Sequence, residues 1–348
     1  MATEVVTSNA VTASLVRRDR PGIVDRFLDL VNRLPGPALV SWTVIAVALV
    51  VIAHVVVWLS ANRPLGVVHH DIAVPALMIA WLGWLLHTLN RVGDRTFDEF
   101  RPALGDPASE DAYRRSLTSI PDRFALVAAI VAVVVVSVAY YVGINPIREP
   151  GPPEIERIAT PLWGATAALL GIVVLHTVRQ LIVVRRLSAM ASNVDIFKPE
   201  PLNALARLTA VGAIGLILFV LAFILYTPDQ PIAYIIQEAF LLAVAVASFV
   251  LPLSVLHERL VTEKGRLMSA SQDRLKGVLD RIHQTLDSDD LAQAERLNLT
   301  LRSVLSEHEV IGKLHTWPWS AGTFRGFASA LLLPIALIVV TQVIDRFL

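Results

Sequence analysis

The residues of this sequence that could do chemistry are polar side chains set inside long apolar runs. Glu238, beside Gln237, stands near the start of one such run, and a carboxylate in hydrocarbon is expensive unless it pairs or faces a cavity. His54 lies in the outer half of an earlier run and is the candidate partner for it. Such a pair would respond to protons or cations, or would serve simply as an interhelical hydrogen bond. Three Leu-His pairs, Leu86-His87, Leu175-His176 and Leu256-His257, stand toward the ends of three runs, the third being that of Glu238, and Arg91, Arg179 and Arg259 follow them closely. Histidine titrates near neutrality, so these side chains could report pH or line an inner vestibule. The plainer reading is that they snorkel to the headgroups. His69-His70-Asp71 offers nitrogen and oxygen ligands to a transition metal, but adjacent residues seldom chelate one ion unaided, so a polar turn is expected there.

Motifs of known chemistries are missing from the sequence. It has no glycine-rich phosphate loop, no GxSxG elbow and no potassium-filter sequence. His257-Glu258 and His308-Glu309 begin like a zinc-protease helix, yet Val261 and Gly312 stand where the second histidine would be. The chain has no cysteine, which excludes disulfides, thiolate metal sites and a cysteine nucleophile. Asp98-Glu99 is better explained as part of a charged face than as an acid–base pair. No cofactor, no metal and no enzymatic activity are expected. A net charge of zero gives no argument for nucleic acid.

The elements that position these residues follow from hydropathy. Of 348 residues 55% are hydrophobic and 17% charged, and the mean hydropathy is +0.60; a soluble domain carries nearer a quarter of charged residues. Seven stretches, 38–60, 72–90, 124–144, 161–184, 208–226, 232–256 and 327–345, are long enough to cross a hydrocarbon core. The expected fold is therefore an all-α polytopic bundle. Lysine and arginine fall 25 on one side and 4 on the other, with Arg179 inside a span. That asymmetry puts the N-terminus in the cytosol of a cell whose cytoplasmic membrane holds the chain, and the C-terminus outside if the seventh stretch crosses.

Residues 1–20 read as a disordered tail, and 21–34, with Ile23, Phe27, Val31 and Leu34 at helical period, as an amphipathic helix on the inner membrane surface. The segment from Arg91 to Arg123 reads as a charged inner loop placed to cradle the base of an arm. That arm, 257–319, is the long polar insert and reads as a cytosolic antiparallel helical hairpin. Its first helix carries a stripe through Leu256, Leu260, Leu267, Leu275, Leu279, Ile282 and Leu286; its second carries Ala294, Leu297, Leu301, Val304, His308 and Ile311. Asp287 to Asp290 supplies the cap between them. Trp317-Pro318-Trp319 ends the arm as a membrane-interface anchor. Pro75, Pro252 and Pro334 fall within spans, and Pro252, between bundle and arm, is the candidate hinge. Similar proline entries and Leu-His exits suggest a threefold repeat of helical hairpins with the seventh span added.

The leading functional expectation is a membrane sensor, adaptor or scaffold acting through residues 257–312 on a second copy or a cytosolic protein. A channel or transporter using Glu238 and His54 comes second, and a lipid-processing enzyme third.

Overall fold

With no water in hydrocarbon to bond the backbone, an isolated apolar run must close its own amide hydrogen bonds, which makes it helical. The computed structural model describes residues 22–60, 64–104, 110–141, 152–190, 196–226, 232–287 and 291–347, and they form helices and short connections without a strand. In chain order the helices are α1 (Ile23–Asn32), α2 (Ala38–Ser60), α3 (His70–Phe100), α4 (Glu110–Thr118), α5 (Asp122–Tyr141), α6 (Pro153–Met190), α7 (Glu200–Tyr226), α8 (Ile232–Val250), α9 (Ser254–Asp287), α10 (Leu291–Lys313) and α11 (Ala321–Phe347). Among the described residues six helical stretches are long and apolar enough to cross a membrane, and α11, with a shorter apolar part from Ala321 to Leu337, makes the seventh candidate. The chain is a polytopic helical membrane protein. The predicted tail 1–20 and the Ser288–Asp290 part of the predicted cap lie outside the described residues.

Helix α3 is the centre. It packs on α2, α4, α6 and α7, while α5 pairs with α6, α8 with α7, and α11 with α7. Its buried residues run from Ile72 to Phe100, well past the expected span end at residue 90. The expected inner loop is thus corrected. Residues 91–100 continue the helix because Gly93, Thr96, Phe97 and Phe100 recur on one buried face while Arg91, Arg95, Asp98 and Glu99 stay exposed. Helix α4 follows and packs on α3 and α6, so its residues brace the bundle. Ion pairs hold this end together: Arg114 bonds Asp94 at 3.0 Å and also Asp98, and Arg207 reaches both carboxylate oxygens of Glu99 at 2.8 Å.

In lipid, helices gain little by hiding apolar surface from neighbours that are equally apolar, so close packing matters more. The ring of Trp42 lies over Gly83, where an added Cβ would sit 2.2 Å from the indole. At Gly171 a Cβ would meet the Ala128 carbonyl oxygen at 2.5 Å and Ala132 Cβ at 2.6 Å, so α5 and α6 touch backbone to backbone. Pro75 and Pro334 stand inside continuous helices, whereas Pro252 lies in a 3-10 turn, Leu251–Leu253, that separates α8 from α9. Replacing Gly171 by leucine should overpack this contact at a cost of about 1–3 kcal/mol. The thermal midpoint of the purified protein in detergent should drop by several degrees, while Gly164→Leu, at a glycine facing open space, leaves it nearly unchanged; equal midpoints for the two variants would refute the contact.

Candidate functional site

One end of the bundle carries His87, one of the inner-rim side chains that sequence reasoning singled out. Helix α1 lies across that end, with Ile23, Phe27, Leu30 and Leu34 exposed along one side and Leu28 and Val31 buried on the other. Its first turn is fixed by carboxylates. Asp25 Oδ2 accepts the Gly22 N–H at 3.0 Å and the Ser119 hydroxyl at 2.7 Å, and Asp122 Oδ1 accepts the Ile23 N–H at 2.5 Å. An acidic side chain at a helix N-terminus satisfies donors that the helix itself leaves free.

Behind α1, a cavity of about 750 Å³, open to the surface, is lined by the start of α2, the end of α3 and the α4–α5 corner. Asp25, Asp29, His87, Asn90, Arg91 and Arg115 are among its lining side chains. His87 is 6% exposed and its Nδ1 has no hydrogen-bond partner, nor has Asn90 Oδ1 or Asp25 Oδ1. A buried polar atom left unbonded costs about 1–3 kcal/mol, so these three, each with almost no accessible surface, weaken the packing behind the cavity wall. Arg114 is spent on Asp94 and Asp98, whereas Arg91 and Arg115 form no ion pair among the described residues.

The other predicted inner-rim residues do not join His87 there. His176 is fully buried on α6, with neither ring nitrogen hydrogen-bonded. One turn further, Gln180 donates through Nε2 to the carbonyl oxygens of Leu117 at 2.7 Å and Leu89 at 3.3 Å, tying α6 to α4 and α3. Sequence reasoning missed this clamp, whose only signal was an uncharged amide in an apolar run. The Arg179 guanidinium lies 5.8 Å from the Phe124 ring, over which Arg123 also sits at 4.7 Å.

His257 belongs to the arm base. Its ring stacks on Trp317 at 3.9 Å and 9°, Trp317 on Trp319 at 4.3 Å, and Trp319 on Phe249 at 5.1 Å. His257 Nδ1 also lies 3.0 Å from the Thr316 carbonyl. Pro318 is buried and both tryptophans are half-buried, because aromatic faces on both ends of the arm supply a dry stacking surface. Lys264 Nζ donates to the carbonyls of Gly312 and Leu314 at 2.7 and 2.8 Å, capping the end of α10, and Arg259 donates to the Ala189 carbonyl at 2.5 Å.

Beyond the base, α9 and α10 pack as a hairpin. Leu297, Leu301, Val304, His308 and Ile311 turn inward as their spacing predicts, but Leu279 is 38% exposed and Val278 takes the inner place. A seam alternating three and four residues, Ser271, Leu275, Val278, Ile282, has no room for both. On the solvent side Arg266 donates to Glu263 and holds its carboxyl below the usual range.

At the opposite end of the bundle, His54 and Glu238 do not pair. The Nε2 of His54 accepts the His69 N–H at 2.9 Å and its Nδ1 is 2.7 Å from the Val50 carbonyl, while the two histidine rings stack. A local loop amide reaches the imidazole before a distant helix can. Glu238 is 5% exposed on α8, and the side chain of Gln237 lies outside the described ones. His70 and Asp71 begin α3; among the described residues no cluster of three metal-ligating side chains forms.

No family model, curated protein or solved structure matches the chain. Gln180→Leu should leave the Leu117 carbonyl without its donor, at about 1–3 kcal/mol, and lower the thermal midpoint. Trp317→Ala should speed hydrogen exchange across residues 254–262 while sparing residues 271–282. Unchanged exchange at the base would show that the ring stack does not hold it.

Proposed function

We propose that this chain is a non-enzymatic sensor or adaptor of the cytoplasmic membrane, in which the arm couples the bundle to a cytosolic protein or to a second copy. One observation carries the reading: the arm leaves and re-enters the bundle through a single aromatic stack, next to the proline turn at Leu251–Leu253. A change in α8 is therefore felt at both roots of the hairpin together. The distal arm offers a surface for a partner, since Leu279, Leu299 and Leu305 are exposed large apolar residues on an otherwise charged hairpin. The excess of lysine and arginine on the arm's side supports a cytosolic location.

The test is the mass of the complex purified in mild detergent from its native membrane, for the whole chain and for a variant in which a short Gly-Ser turn replaces residues 269–308. That deletion keeps the stacked base. The expected result is a complex heavier than the 38.0 kDa protomer that loses the extra mass when the distal arm is removed. The same protein mass for both would reject the adaptor reading.

A further inference from the structure

We propose that a groove between α6 and α8 binds an anionic phospholipid of the inner leaflet, of the phosphatidylglycerol type, with its phosphate on Arg185 and an acyl chain beside the Pro252 turn. The groove holds about 280 Å³. Val174, Val178, Ile182 and Arg185 line it from α6, and Ala247, Leu251 and Pro252 line it from α8 and the 3-10 turn. Residues 174, 178, 182 and 185 step by three or four, so they form one stripe of the helix, about 16 Å long at 1.5 Å per residue. A hydrocarbon core is about 30 Å thick. The stripe therefore runs the depth of one leaflet and ends in a guanidinium, which is the arrangement of a lipid with its tail in oil and its phosphate at the surface.

Charge decides the headgroup. Arg185 is exposed and forms no ion pair or hydrogen bond among the described residues, so its donors are free for a phosphate, which a guanidinium meets with paired N–H groups. One turn further along the same side of α6, Arg259 donates to the Ala189 carbonyl at 2.5 Å, which brings a second positive charge to that end. No carboxylate lines the groove among the described residues. The ammonium of a zwitterionic lipid would find no partner there and would add like charge beside the arginines. Val178, Ile182 and Leu251 are exposed along the rim, so the groove opens sideways to hydrocarbon. An acyl chain can enter that way, whereas a soluble anion would have only the arginine to hold it. The lysine and arginine asymmetry supports the cytosolic side for this end of α6, the side on which anionic headgroups attract basic residues. A chain lying against Leu251 and Pro252 would brace the turn from which α9 departs. That consequence for the arm rests on the adaptor reading, but the binding does not.

The experiment measures retention by native mass spectrometry on the full chain in mild detergent, offered dioleoyl phosphatidylglycerol, dioleoyl phosphatidylcholine or, in a separate arm, soluble glycerol phosphate. Phosphatidylglycerol should be held about fivefold more tightly than phosphatidylcholine, the worth of one basic residue beside an anionic headgroup. Arg185→Gln should abolish that preference and leave phosphatidylcholine retention as it was, a selectivity that general unfolding could not produce. Arg115→Gln removes an arginine equally free of ion pairs but outside the groove, and should keep the preference. Ala247→Phe should fill the groove and lower retention of phosphatidylglycerol. Equal retention of the two lipids, a preference that survives Arg185→Gln or falls as far with Arg115→Gln, undiminished retention by Ala247→Phe, or glycerol phosphate held as tightly as the lipid would each overturn the proposal. Should Ala247→Phe fail to fold, the two arginine variants decide. None of these readings depends on a partner of the arm, so the adaptor reading can fail without this one.

Discussion

The structure depends on how closely its helices can approach α3 and α6 in a solvent that does not push them together. Apolar side chains gain little from one another when lipid tails are the alternative, so contact rests on shape and on a few directed bonds. Trp42 over Gly83 and the α5 backbone against Gly171 are the tightest cases. Where shape alone would allow sliding, a polar group fixes register: Thr96 Oγ1 donates to the Ala204 carbonyl at 3.2 Å and Thr166 Oγ1 to the Pro75 carbonyl at 3.3 Å. These tie α3 to α7 and to α6, and Gln180 adds α4. Each directed bond sits on α3 or α6, the helices with most neighbours.

That economy explains what is left over. Polar side chains within the bundle that fix helix positions have partners, as His54, Thr166 and Gln180 do. The unbonded buried atoms gather in part at the end where α1 crosses, at Asp25, His87 and Asn90. There the packing gives way to a cavity of about 750 Å³, and the two arginines beside it are not consumed by the ion pairs that brace α3, α4 and α7. Along α3 the two kinds of polar group alternate: His87 and Asn90 keep unbonded atoms, while Asp94, Thr96, Asp98 and Glu99 beyond them are bonded to neighbouring helices.

Much of this was legible in the sequence because hydropathy reports solvent directly. The spans, the amphipathic helix α1 and the seam of α10 follow from period and composition. Where helices continue past the lipid, the same signal misleads, since exposed charges at Arg91, Arg95 and Asp98 hide the buried face of Thr96, Phe97 and Phe100. Leu279 was misplaced because leucine outweighs valine in any stripe drawn by eye, although the seven-residue step favours Val278. Partners of single polar residues were not legible at all. His54 meets the amide of His69, and no pattern distinguishes that from a reach toward Glu238. The cavity was likewise hidden, because Asp25, His87 and Arg115 come from three helices far apart in the chain. Only His87 had stood out beforehand, and for a different reason.

Because both roots of the hairpin are clasped in one stack of rings, the arm behaves mechanically as a lever with a short fulcrum. From Ser254, beside the Pro252 turn, to Asp287 the helix extends about 50 Å at 1.5 Å per residue. A tilt of about ten degrees at the Pro252 turn would then sweep the tip through about 9 Å by simple geometry, more than one helical turn. A displacement too small to alter the packing of α8 would be large at the far end of the arm.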